Sequence, residues 1–378
     1  MIRRLDGVNP MTTVLKPAAT FSEVFGNAAV FTGRSSPNAS RWLPKDEMAL
    51  DALSAAQLSI VGDMITVCAA AASTLDGLGL LRDAGFPIQA HLYRYRNAAE
   101  YLELIKRLCA EGKSFVTQHV HAETDLPLSS CLVKPQALSF VNNKAHLARF
   151  VQSENLPARQ LVPIAELETI RKTMRFPLVI KAITDESTGG GVDVRICRRA
   201  KDLRAAAAYF YDCPCVVVED YLDIRGNLCL NYFIDKEGGI VYLGFAEQVS
   251  DDEGRYQGNW IEDSSCADGI VTAGREVAGR AFESGYYGFM GMDVAVLADG
   301  QFKIFDLNFR ANGSTPALLY AENIRESFNK SVMRFRRFTG TGDYRQMLKI
   351  VYRAMDEDIF LPLASCDQIG RASCRDSV

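Results

Sequence analysis

The chain has 378 residues, of which 48% are hydrophobic and 23% charged, with a net charge of −4. At roughly 150 residues per domain that length implies two or three domains, and the apolar fraction excludes a disordered chain. The acidic balance excludes a nucleic-acid binder working through a basic surface. The apolar run 60–72 is broken by Asp63, so no segment reaches the roughly 18 residues of a membrane span.

The first ten residues carry no pattern and lack the apolar core of a signal peptide, which makes Met11 a candidate start. The ten cysteines are scattered and sit mostly inside apolar runs (Cys68, Cys109, Cys197, Cys229), as thiols do in a reducing compartment. Cys213-Pro-Cys215 lacks the partners of a zinc site. A cytoplasmic address is the expectation. Residues 20–135 alternate strand-like runs (28–32, 58–61, 114–120) with helical ones (75–84, 98–110), the pattern of an open parallel sheet in an α/β domain. Neither G-x-G-x-x-G nor G-x-x-x-x-G-K-[ST] occurs.

A helix is expected at 140–154, with Asn142 or Asn143 as N-cap and Leu156-Pro-Ala ending it, and another at 165–174. Strands at 178–182 and 192–197 flank a long glycine-rich loop. Residues 200–210 are helical and 215–219 form a strand. Two strands between 228 and 245 flank a turn at 235–239. Strands 292–297 and 302–307 flank Ala298-Asp-Gly300, a type I′ hairpin signal. The second half is therefore α+β with antiparallel pairs.

Chemistry concentrates in two places. Lys181 ends one strand and is followed by Ser187-Thr188-Gly189-Gly190-Gly191. Consecutive glycines let backbone N–H groups converge on an anion, and the lysine adds a cation, so the loop suits polyphosphate; a flexible hairpin tip is the alternative. In the late hairpin Asp293 falls opposite Asp306 and Asn308, which share a face with Arg310. Two carboxylates and an amide oxygen within an apolar run suit Mg²⁺, a hard cation that keeps phosphate as co-ligand. His119-Val-His121 puts two imidazoles on one strand face without a third ligand, which favours a loop or interface role over a metal site. Trp42 and Trp260 are expected to pack, Gly226 and Asn227 to turn, and Arg34-Ser-Ser-Pro-Asn38 to form a loop at a cleft or on the surface.

Taken in order, Asn143-Lys144, Phe176-Pro-Leu-Val-Ile-Lys181, Val217-Val-Glu219-Asp-Tyr-Leu222, Gly288-x-x-Gly-Met-Asp293 and Phe305-Asp306-Leu-Asn308-Phe-Arg310 resemble the ATP-grasp superfamily, most of all its biotin-carboxylase branch, over roughly residues 140–320. The resemblance implies a pre-ATP-grasp α/β domain at 1–135 and an α+β ATP-grasp domain at 136–345. The latter would divide into a small lid subdomain (about 158–215) and a larger antiparallel-sheet subdomain (about 216–345), with a C-terminal segment at 346–368. Residues 369–378 have the look of a non-native tail, the natural C-terminus being cut off near Gln368; a polar disordered tail is the alternative.

The resemblance also implies roles. Lys144 and Lys181 would meet the ATP phosphates under the loop of Ser187, Thr188, Gly189, Gly190 and Gly191. Glu219, Asp220, Tyr221 and Leu222 would form the adenine hinge, and Glu247 a ribose or substrate contact. Asp293, Asp306 and Asn308 would hold Mg²⁺ (or Mn²⁺), with Arg310 and Lys181 catalytic. The implied activity is ATP-dependent ligation of a small-molecule carboxylic acid to an amine or amino acid through an acyl phosphate. Biotin carboxylases carry His-Gln-Lys where this chain has Tyr256-Gln257-Gly258, and no biotinyl acceptor motif is present, which disfavours carboxylation. A small-molecule kinase and a non-catalytic ATP-binding module are the other readings. Nucleic acid and membrane are not expected partners, and a homodimer is compatible with the resemblance.

Overall fold

The computed structural model describes residues 13–37, 40–43, 45–88, 91–251, 254–340, 342–368 and 371–377; Met11, Asn38 and the rest of the tail lie outside them. The N-terminal block alternates helix α1 (Phe21–Phe25), β1 (Val30–Thr32), α2 (Glu47–Leu53), β2 (Ile65–Ala69), α3 (Leu75–Asp83), β3 (Leu92–Tyr95), α4 (Ala98–Ala110) and β4 (Phe115–Thr117). Its strands are all parallel, in the order β3-β2-β1-β4. The helices start at side-chain caps, Asp46 for α2, Thr74 for α3 and Asn97 for α4, each supplying an acceptor for an otherwise unpaired helix N–H.

The strand expected at 58–61 is instead a buried 3₁₀ turn, Leu58–Ile60. Gly62, at φ +69°, reverses the chain, and the strand begins only at Ile65. A short run buried on every side has no periodicity to tell helix from strand. The helix expected at 140–154 is also broken. Helix α5 (Pro135–Asn142) ends where Asn143 turns extended (ψ 121°), and the Asn143 side chain then caps a 3₁₀ turn, Lys144–His146, before α6 (Leu147–Phe150). The helix at 165–174 is a 3₁₀ segment, Ile164–Lys172.

A second, antiparallel sheet joins β5 (Arg159–Pro163), β6 (Leu178–Ala182), β7 (Val194–Cys197) and, after α7 (Asp202–Tyr209), β8 (Cys215–Asp220), in the order β5-β8-β6-β7. Its core of Leu178, Ile180, Val216, Val218 and Phe210 also takes in Trp42 from the N-terminal block. The neighbouring Arg41 pairs with Asp212 and donates to the Tyr209 carbonyl at 2.5 Å.

The largest sheet comprises β9 (Ile224–Ile234), β10 (Ile240–Ser250), β11 (Tyr256–Glu262), β12 (Gly288–Leu297), β13 (Phe302–Asn308), β14 (Val332–Gly340), β15 (Pro362–Gln368) and β16 (Arg371–Ser377), with helices α8 (Asp268–Glu283), α9 (Thr315–Phe328) and α10 (Tyr344–Asp356). Its order is β13-β12-β9-β10-β11-β14-β16-β15, antiparallel throughout. Gly226 and Asn227 lie inside β9, paired with Val296 and Ala295, rather than in a turn. In the β12–β13 loop Gly300 (φ +83°) takes the left-handed conformation and Asp299 does not, so the type I′ expectation gives way to a three-residue loop closed by Leu297 and Gln301. Trp260 is half-exposed, with the Arg334 guanidinium 5.0 Å above its ring, instead of packed. Phe21, Phe31 and Ile60 share one core with Phe289, Tyr320 and Leu348, fastening the parallel sheet to the large one. No described helix is long and apolar enough to cross a membrane.

Candidate active site

A cavity of about 1390 Å³ opens where the three sheets meet, larger than the roughly 300–1,000 Å³ of a pocket for one small ligand. Gly189, Gly190 and Gly191 cover it from the β6–β7 hairpin. Asp220, Tyr221 and Leu222 lie at one end, and Asp293, Asp306, Asn308 and Arg310 form the floor.

The antiparallel register sets Asp293 directly opposite Asp306. Asn308, two residues on and so on the same face, donates its amide to Asp293 at 3.2 Å, and Gln248 on β10 donates to the other carboxylate oxygen at 2.5 Å. Burial, then the like charge of Asp306, pushes the Asp293 carboxyl up to about 6. Burial acts on Asp306 in the same direction, but the ammonium groups of Lys144 and Lys181 outweigh it and hold that carboxyl below its usual range. Lys144 forms an ion pair with Asp306 and lies 3.8 Å from Asp193.

Lys181, 4% exposed, sits 2.6 Å from a Glu219 carboxylate oxygen and 2.6 Å from the Phe305 carbonyl, to which it donates. Arg159 stands 3.7 Å from Glu219 and donates to the Lys144 carbonyl at 2.5 Å. Arg310 differs from these cations. Partly buried and lining the cavity, it makes no side-chain hydrogen bond or ion pair among the described residues, and burial lowers its pKa. A guanidinium held ready in this way is suited to a ligand carrying negative charge.

The glycine loop is closed over this floor. Gly190 and Gly191 have φ of +67° and +74°, which side chains with a Cβ rarely adopt. Ser187 does not line the cavity; its hydroxyl accepts from the Val120 N–H at 2.8 Å and its carbonyl accepts from Ser40 at 2.7 Å. Thr188 is likewise off the lining. The Glu219 carboxylate is engaged by Lys181, which leaves the backbone and Asp220–Leu222 to meet a ligand at that end. Glu247 is exposed, and its neighbour Gln248 takes the cavity face of β10. His119 and His121 follow β4 in a loop. His121 bonds Tyr101 at 2.6 Å, and among the described residues no group of three or more His, Cys, Asp or Glu side chains could hold a metal ion. Arg34 is fully buried, bound by Asp51 and Glu47.

Sequence reasoning missed Arg159, Asp193 and the counter-charge role of Glu219. Asp193 alone left a signal, an acid two residues past the glycines in an apolar strand. Two carboxylates and an amide oxygen fit a hard divalent cation, since such an ion completes its shell with phosphate and water, and a cation would relieve both the burial cost and the like charge of Asp306 that raise Asp293.

Fold and site together define a nucleotide-dependent ligase: the chain belongs to the ATP-grasp superfamily, in its carboxylate–amine ligase branch with a pre-ATP-grasp domain. Residues 157–308 match the family model described as L-aspartate–L-methionine ligase, ATP grasp, and residues 20–139 match the one described as the L-aspartate–L-methionine ligase N-terminal domain. The protein is thus an ATP-dependent enzyme forming carbon–nitrogen bonds. Among solved structures it is similar to N5-carboxyaminoimidazole synthetase from Staphylococcus aureus complexed with ADP (TM-score 0.59, 11% identity, 98% of this chain and 95% of that one). It is also similar to N5-carboxyaminoimidazole synthase from Aspergillus clavatus in complex with ADP and 5-aminoimidazole ribonucleotide (TM-score 0.56, 14% identity, 93% and 94%). At these identities the likeness is one of fold.

Proposed function

We propose that the protein uses Mg²⁺·ATP to phosphorylate a carboxyl group of L-aspartate and joins that carbon to the amino group of L-methionine, releasing ADP and phosphate. The observation that carries this reading is the unpaired Arg310 beside the Asp293–Asp306–Asn308 face, under a glycine loop and within a cavity large enough for a nucleotide and two amino acids. The family descriptions supply the identities of the two amino acids.

On this reading Lys181 and Lys144 meet the phosphates, and Gly189, Gly190 and Gly191 cover them. Asp220–Leu222 border the base. Asp293, Asp306 and Asn308 would hold Mg²⁺, which would supply neutralisation of phosphate charge. Arg310 stabilises charge on the transferring phosphoryl group, the largest contribution such a site can make. Lys144 becomes free to turn toward phosphate oxygens once the Asp306 carboxylate is neutralised. A closed loop excludes water, which matters because an acyl phosphate hydrolyses when wetted. An aspartate carboxylate oxygen attacks the γ-phosphorus as the bond to ADP breaks. The methionine ammonium first gives up one proton to solvent; the free amine then attacks the acyl carbon, loses a second proton, and expels phosphate. The lid is taken as about 158–215 and the metal-bearing part as about 216–345. The free thiols of Cys68, Cys197 and Cys229 support a cytoplasmic setting.

The test is ADP release with aspartate and methionine together and separately, with the product mass determined. Dipeptide formation that needs both supports the reading. ADP with a stable phosphoester from one acid would favour a kinase, and saturable ATP binding without ADP a binding module; either would overturn it.

A further inference from the structure

Away from the charged floor the cavity changes chemistry. Strands β1 and β4 lie side by side, Thr32 opposite Thr117, and run straight into Gly33 and Gln118. The chain passes from β1 to β2 on one side while β4 flanks the other, so these carboxyl ends bound the crevice where open parallel sheets take ligands. Gln57 reaches the same spot from beyond α2: its Oε1 lies 3.4 Å from where a Cβ on Gly33 would stand.

Gln57, Gln118 and His119 line the cavity and are 6%, 6% and 7% exposed. Gln57 Oε1 and Gln118 Nε2 have no hydrogen-bond partner among the described residues. A buried amide atom left unpaired costs about 1–3 kcal/mol, and such atoms in a wall are what a site holds for its ligand. The His119 side chain is likewise without a hydrogen bond among the described residues. Burial, then the charge of nearby Arg310, holds its pKa down to about 3. It is therefore neutral, and it lies on the side of this pocket toward the phosphoryl-binding floor. Leu43, Met48, Ala49 and Leu53 complete the wall, with Asp46 beside them.

We propose that this pocket, built by Gln57, Gln118, His119 and the apolar side chains of Leu43, Met48 and Leu53, is the subsite of the amine substrate and selects an amino acid with an uncharged, apolar side chain. The proposal rests on the ligase reading above. A zwitterionic amino acid carries no net charge, so neutral amides can satisfy it: the Gln118 amide donates to its carboxylate and the Gln57 oxygen accepts an N–H. The amino group then lies toward His119 and Arg310, where the acyl carbon forms. The apolar wall of Leu43, Met48 and Leu53 offers no partner to a side-chain carboxylate, which assigns the pocket to methionine and leaves aspartate the cationic floor.

The experiment uses the full-length protein with Gln118→Leu and Gln57→Met, varying methionine and aspartate in turn and recording thermal melting. Each variant should raise KM for methionine about tenfold, as the loss of one hydrogen bond to a charged group does, with KM for aspartate changed less than about twofold. Melting should be unchanged or higher, since an unpaired buried amide is replaced by an apolar group; a lowered Tm without a KM effect would mark both side chains as structural and overturn the proposal. Leu53→Phe, which fills the apolar wall, should shift preference from methionine to alanine. A rise in KM for aspartate instead would overturn the assignment of the occupant. If the wild type forms no aspartyl-methionine, the substrate reading fails and this occupant with it. If it does, and both glutamine variants keep the methionine KM, the subsite alone fails.

Discussion

Replacing Lys181 by Met removes an ammonium that touches a Glu219 oxygen and the Phe305 carbonyl, each at 2.6 Å. Glu219, 2% exposed, is then left with Arg159 at 3.7 Å, beyond hydrogen-bonding distance. Breaking one side of a buried pair costs about 3–5 kcal/mol, because the survivor keeps its desolvation penalty. Glu219→Gln strands the ammonium but leaves it the Phe305 carbonyl, so the loss should be nearer about 2–3 kcal/mol. Both variants forfeit the same contact, so the double variant should fall short of the sum by about 2 kcal/mol. Urea unfolding of the four proteins, with m held constant, measures this. In ADP-release assays Lys181→Met should weaken ATP use more than Glu219→Gln, which keeps the cation. Additive single effects, within about 0.5 kcal/mol, would refute the argument that these two groups balance each other out of water.

Arg310→Gln should lower kcat by about 10²–10³ with KM for ATP changed only a few-fold, as expected of a charge spent on the transition state; equal losses in binding and turnover would contradict that role. Ala at both Gly190 and Gly191 forces Cβ atoms into left-handed backbone, at about 1 kcal/mol each, so kinetics should show a raised KM for ATP and melting a lowered Tm; an unchanged KM would contradict a loop that covers the nucleotide. Burial holds His119 and His121 down to about 3 and about 4, whereas a free imidazole takes its proton near 6.5. Unfolding therefore takes up protons below that value. The stability involved is whole above about pH 6.5 and drains away as pH falls toward 4, by on the order of 3 kcal/mol for His121. Denaturant unfolding of wild type and His121→Gln at pH 7.5 and 4.5 should show a flatter profile in the variant, and equal slopes would mean the ring is solvated.

The late hairpin was legible because alternation alone puts Asp306, Asn308 and Arg310 on one face, and a short loop fixes Asp293 opposite. The glycine loop announced itself by composition. What each cation pairs with was not legible. Lys181 meets Glu219 because β6 lies against β8 with Lys181 opposite Val217, a register between segments distant in sequence that no local spacing encodes. The choice between Glu247 and Gln248 was decided similarly, by the phase of β10, which shifts where Tyr242 and Gly244 pair with β9. The 3₁₀ turn at Leu58–Ile60 escaped for want of periodicity, and Gln57 and Gln118 escaped because uncharged residues outside a motif leave no mark until burial strands their amides.

Trp42 is buried in the core of the β5–β8 sheet, stacked near Tyr209 and Phe210 at 5.9 and 5.8 Å, although its chain belongs to the parallel-sheet block. Withdrawing an indole of about 150–250 Å² into water costs about 4–6 kcal/mol. A β5–β8 sheet acting as the proposed lid therefore could not swing freely on its own strands; either it would carry residues 40–43 with it or it would have to uncork the ring. The adjoining Leu43 lies close to Gly189, its Cδ2 3.4 Å from where a Cβ there would stand, and also borders the pocket proposed for the amine substrate. If the proposed amine pocket is right, nucleotide admission and its filling are latched to one another, and the kinetic signature is a compulsory order of substrate addition that Trp42→Ala would make random.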